Sequence, residues 1–290
     1  MKFKVNKELF PFESKFIQLS GGSKVHYVDE GSGPVLLMFH GNPTWSFLYR
    51  KMIKELKGEF RCVAFDYPGF GLSEAPEDYD FLPETHCKVA EEFIDRLGLN
   101  DITIICQDWG GPIGLGWATR NPDKIKAAVI GNTWAWPLAG NLRFELFSWL
   151  MGGPIGRRLA KANNFVWKFF MKGGFVNALS EEEMEMYRAP FQDKKNRKQT
   201  SIFPRQLVKA KVFEEEVENG LERIQHIPVL FTWGTEDFAF RELERARFQK
   251  IFKNHKTVLL HASHFWQDEQ GEKASEAIKD WYHQEVQKHL

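Results

Sequence analysis

Residues 102–116, Ile-Thr-Ile-Ile-Cys-Gln-Asp-Trp-Gly-Gly-Pro-Ile-Gly-Leu-Gly, restrict the fold of this chain more than any other stretch. Ile102 to Cys106 is a short, β-branched apolar run, the pattern of a parallel strand buried on both faces. Gly110 and Gly111 follow at once. Ile113, Leu115, Trp117 and Ala118 then open a helical pattern that stops at Asn121-Pro122. A strand that turns sharply into a helix brings two backbones together, so small residues must surround the turn. The residue at the tip is pushed outward, with the amide dipoles of the new helix behind it. In Cys106-Gln107-Asp108-Trp109-Gly110 the tip is Asp108. Such an elbow presents a nucleophile. The alternative is that Asp108 only caps the following helix.

The flanking pattern supports the elbow. Phe16 to Leu19 and Val25 to Val28 read as a hairpin around Gly21-Gly22. Val35 to Phe39 is a buried strand ending in the corner His40-Gly-Asn-Pro-Thr44. Trp45 to Leu56 is an amphipathic helix, Arg61 to Phe65 a strand, and Asp66 to Gly71 a Gly- and Pro-punctuated loop. Val89 to Leu97 is helical, and Ala127 to Gly131 is another strand. This alternation predicts an α/β fold, a mostly parallel sheet with helices on both faces. From Trp134 to Leu221 it breaks into helical patterns crowded with Phe and Trp, read as an inserted helical cap. The sheet resumes at Val229 to Trp233 and Val258 to Leu260, and Glu272 to Gln287 closes the chain as a helix. The expected organisation is a main domain of residues 1–133 and 223–290 with a cap of residues 134–222.

Composition excludes several classes. Lys plus Arg and Asp plus Glu are equal at 39 each, and no like-charge run exceeds Glu181-Glu-Glu183 or Glu214-Glu-Glu216. Neither a nucleic-acid face nor a basic membrane patch is suggested. No apolar run approaches the ~20 residues of a membrane span. Met1 to Lys15 lacks the apolar centre of a signal peptide. Three widely spaced cysteines, Cys62, Cys87 and Cys106, fit a reduced, cytoplasmic chain.

A nucleophile at such an elbow needs a base, an acid to orient it, and donors for developing negative charge. His264, on the loop after the last strand, is the expected base, with His261 its competitor. Asp237, after Trp233-Gly-Thr-Glu, is the expected acid, with Glu236 the alternative. After the strand ending at Gly131 no carboxylate occurs until Glu145. A metal held by His261 and His264 with Asp268 or Glu269 is the rival use of these residues, without a supporting motif. His40 is read as fixing its corner by hydrogen bonds. The backbone N–H groups of Trp109 and Asn42 form the expected oxyanion hole. Their side chains add an indole N–H and an amide NH₂, two neutral donors suited to an anionic leaving group.

Together, His40-Gly-Asn-Pro-Thr-Trp-Ser46, Asp66-Tyr-Pro-Gly-Phe-Gly-Leu-Ser73, Gln107-Asp-Trp-Gly-Gly-Pro112 and His264-Phe-Trp-Gln-Asp268 resemble the haloalkane dehalogenases. The resemblance implies an α/β-hydrolase fold with an eight-stranded, mostly parallel sheet, a helical cap and an apolar pocket between them. It also implies a nucleophile at Asp108, a base at His264, an acid at Asp237 and a halide-binding pair at Asn42 and Trp109. The partners implied are a small halogenated hydrocarbon, halide and water. No metal or organic cofactor, nucleic acid or membrane is expected. Members combining these residues tend to self-associate, so a homo-oligomer is among the expected states. An epoxide hydrolase with the same Asp nucleophile is the main rival. It needs a proton donor for the epoxide oxygen, and the cap holds only Tyr187. A non-catalytic hydrolase fold used for binding is the rival from outside enzymology.

Overall fold

The computed structural model describes residues 3–289; Met1 and Lys2, at the head of the segment read for a signal peptide, lie outside it. Eight strands form one sheet in the order β1-β2-β4-β3-β5-β6-β7-β8. The antiparallel edge is β1 (Lys15–Gln18) against β2 (Lys24–Glu30), and β2 pairs antiparallel with β4 (Arg61–Phe65). β3 (Val35–Phe39), β4, β5 (Ile102–Asp108), β6 (Ile125–Thr133), β7 (Val229–Gly234) and β8 (His255–Leu260) run parallel. Every residue of β5 and of β7 is buried, as a parallel sheet covered on both faces requires.

The covering helices are α1 (Arg50–Leu56), α2 (Pro83–Arg96), α3 (Gly110–Arg120), α10 (Glu242–Ile251), the short α11 (Trp266–Glu269) and α12 (Gly271–Trp281). Between β6 and β7 the chain makes only helices: α4 (Leu142–Gly152), α5 (Pro154–Asn163), α6 (Phe165–Gly173), α7 (Glu181–Arg188), α8 (Lys198–Lys209) and α9 (Lys211–Gly220), with short 3-10 turns. α9 packs on α3, where Phe213 and Val217 lie against Gly116.

Three elements differ from the sequence reading. The stretch from Trp45 begins as a 3-10 turn over Ser46–Tyr49 before α1. α2 starts at Pro83 rather than near Val89, using Pro in its first turn, where the missing N–H has no helical partner anyway. The final helix leaves α geometry at Tyr282 and continues as a π turn to Val286.

Candidate active site

β5 ends at the elbow, and three glycines make its shape feasible. Asp108 has φ of 50°, the left-handed region, which costs a non-glycine residue energy and persists only where its surroundings enforce it. A Cβ on Gly110 would overlap the carbonyl of Phe39, and one on Gly111 would overlap the Thr133 side chain. One on Gly41 would overlap Asp108 itself. From the far side, Thr133 Oγ1 donates to the Asp108 carbonyl at 2.6 Å. The helix N-cap is Trp109, with no side-chain cap bond, so Asp108 does not serve as a capping residue.

The carboxylate is held on both sides. Asn42 N–H donates to Asp108 Oδ1 at 2.7 Å. Asp108 Oδ2 lies 3.5 Å from His264 Nε2. On the other ring edge, His264 Nδ1 lies 3.0 Å from Asp237 Oδ2, and Asp237 Oδ1 accepts from Ala239 N–H at 2.7 Å. Burial alone would lower the His264 pKa, but the Asp237 and Asp108 carboxylates outweigh it and push it up to about 10.

The competing residues lie elsewhere. His261 and Glu236 are largely exposed and 3.7 Å from each other. Asp268 is taken by Arg50, whose guanidinium binds both its oxygens at 2.5 and 3.0 Å. Glu269 accepts from the N–H groups of Ser263, Val176 and Asn177. Among the described residues no group of three His, Cys, Asp or Glu side chains is gathered as a metal would need. His40 accepts from Tyr67 N–H at Nε2 and so carries its proton on Nδ1, 2.9 Å from Gly41 O. Burial pulls its pKa down to about 4, leaving it a neutral clamp on the corner.

Asn42, Asp108 and Trp109 face a cavity of about 480 Å³. Its remaining wall is mainly apolar, with Phe144, Phe147, Phe170 and Leu207 supplied by α4, α6 and α8. The Trp109 ring stands edge-on to Trp134 at 4.7 Å and to Phe203 at 5.2 Å. Trp134 in turn stacks on Phe240 and donates Nε1–H to buried Glu214 at 2.9 Å.

Sequence reasoning missed several supports. Asn132, just after Gly131 on β6, binds Gly234 O and Phe240 O through its amide NH₂ and accepts from Gly234 N–H. It thereby pins the loop that carries Asp237. Gln107 donates to His264 O at 3.0 Å and fixes that residue's backbone from behind. Asn132 carries no motif, and the motif that contains Gln107 does not announce its bond, since each binds backbone that only the folded sheet brings near.

The fold defines the class first, an α/β hydrolase, here with an aspartate at the strand-end elbow. The family model of the alpha/beta hydrolase fold matches residues 34–270. Haloalkane dehalogenase 2 of Mycobacterium tuberculosis is 38% identical over 279 residues, covering 95% of this chain and 97% of that protein. A cis-3-alkyl-4-alkyloxetan-2-one decarboxylase of Shewanella oneidensis is 33% identical over 245 residues, covering 80% and 76%. The crystal structure of haloalkane dehalogenase DatA from Agrobacterium tumefaciens superposes with a TM-score of 0.86 at 25% identity, over 97% of this chain and 99% of that one. This chain belongs to the haloalkane dehalogenase family of α/β hydrolases.

Proposed function

We propose that the chain hydrolyses halogenated alkanes to alcohol, halide and a proton through an alkyl ester on Asp108. The observation that carries this reading is one carboxylate on the floor of an apolar cavity, flanked by the amide of Asn42 and the indole of Trp109. Asp108 attacks the halogen-bearing carbon in line, and the carbon–halogen electron pair leaves with the halide. The two side-chain N–H donors receive the anion. His264, oriented by Asp237, then takes a proton from water, which adds to the ester carbonyl. The oxyanion is held by the backbone N–H groups of Asn42 and Trp109, and the ester collapses to alcohol and free Asp108. The apolar cap, residues 134–222, limits hydration of the nucleophile while admitting one water. Three buried, unpaired cysteines suit a reducing, cytoplasmic setting.

The epoxide reading loses its acid, because the buried Tyr187 hydroxyl donates to Asp268 at 2.6 Å. The decarboxylase relative is named for acting on a strained four-membered lactone, whose ring carboxylate stands where a halide would leave, and such lactones are the second substrate class to test.

His264→Phe is expected to release about one halide per site and then stall as an ester. Quenched-flow halide release and intact mass check this, and sustained turnover at the native rate would remove His264 from the mechanism. Parallel incubation with brominated alkanes and a cis-3,4-dialkyl oxetanone decides between leaving groups.

A further inference from the structure

α4 carries an outward face that a globular protein normally hides. Leu142, Leu146, Trp149 and Leu150 on α4, with Ile155 on α5, are between 52% and 79% exposed. Spacings of four, three and one residue place the α4 side chains on one side of the helix. This strip borders two different features. On one side Leu146 and Leu150 line the mouth of the cavity above Asp108. On the other, Trp149 shares a groove with Arg157, Arg158, Lys161, Lys195 and Arg205. Helices α4 to α6 hold six basic side chains, Arg143, Arg157, Arg158, Lys161, Lys168 and Lys172, against a single acid, Glu145. Only Arg143 of the six meets a carboxylate among the described residues, through Glu244. The whole chain is formally neutral, so this charge is segregated rather than general. No sequence run announces the patch, because folding collects its residues from α5, α8 and a 3-10 turn.

We propose that this cap face docks on an anionic lipid surface. Apolar side chains with Trp among them, rimmed by unpaired Arg and Lys, match an interfacial site for negatively charged headgroups. The face is one surface with the cavity mouth, so an apolar substrate dissolved in the bilayer enters without crossing water. That last step rests on the function proposed above; the docking does not. A second copy of the chain is a poorer occupant, since a two-fold contact would set like charges against each other. No helix of the described residues is long and apolar enough to cross a membrane.

The test is co-sedimentation of the full chain with vesicles of phosphatidylcholine alone and with vesicles that also contain phosphatidylglycerol, beside sedimentation velocity of the protein without lipid. Binding to the mixed vesicles only, and release by salt, is expected. The triple change Arg157→Glu, Arg158→Glu, Lys161→Glu should weaken vesicle affinity by about tenfold or more. Leu142→Ser with Trp149→Ser should weaken it too while leaving turnover of a water-soluble haloalkane unchanged, as neither residue lines the cavity. Indifference of the native protein to mixed vesicles would overturn the proposal. So would undiminished binding by the charge-reversed variant. So would a dimer that Trp149→Ser dissociates while vesicles stay unbound. A protein that docks but releases no halide would reject the function and leave the surface standing.

Discussion

At the scale of single residues, Trp109 is where position and chemistry can be separated. Its ring is wedged between Trp134 and Phe203, so it would be buried whatever its N–H did. Trp109→Leu keeps an apolar group there but removes the donor together with the ring packing on Trp134 and Phe203. A hydrogen bond to a charged partner is worth about 1.5–3 kcal/mol, so bromide affinity should fall by roughly tenfold to a hundredfold, beside a lower melting temperature from the lost ring packing. Isothermal titration with bromide checks this, and unchanged affinity would make the indole a packing residue. The residues that end strands or follow glycines, Asp108, Asp237 and His264, were legible because motif and chain order mark them. The amides of Asn132 and Gln107 were not. An amide bonded to a backbone over a hundred residues away leaves no local pattern.

Elements were legible where periodicity was strong, as in β5 and β7, and less so where irregular turns intervene, as before α1. What sequence pattern misses is the cost of an element's seat. α9 carries Glu214 into the interior, where its Oε1 accepts from Trp134 and its Oε2 has no partner. Burial pushes its pKa from 4.5 up to about 8, against the hydrogen bonds from Trp134 and the Leu138 backbone. The folded state therefore holds the proton more tightly than the unfolded chain. That contribution to stability is complete below pH 4.5 and is lost as the pH rises through about 8. Glu214→Gln keeps an oxygen for Trp134 and cannot ionise. It should match the native protein in acid and exceed it by about 2–5 kcal/mol above the higher value. Urea unfolding at both pH values measures this, and parallel curves for the two proteins would refute it.

At the scale of the whole molecule, one buried cation joins the helices between β6 and β7 to the sheet. Arg50 on α1 binds Asp268 after β8 and reaches Glu183 on α7 at 2.5 Å, while Tyr187 closes the network on Asp268. Arg50→Met would leave Asp268 buried with only the half-exposed Lys51 as a cationic partner. The expected loss is about 3–5 kcal/mol, read as a lower urea midpoint, and a loss near zero would mean that packing alone seats the cap. The imidazole lodged between two carboxylates has a further consequence, given the roles proposed. While both neighbours are ionised, it keeps its proton and is no base. Esterification neutralises one of them, so the ring sheds that proton only after the substrate has been captured. Acid should then appear in the medium together with the halide, one step ahead of the alcohol. The catalyst is thus armed by its own first reaction, and idle molecules are spared from activating water without a target.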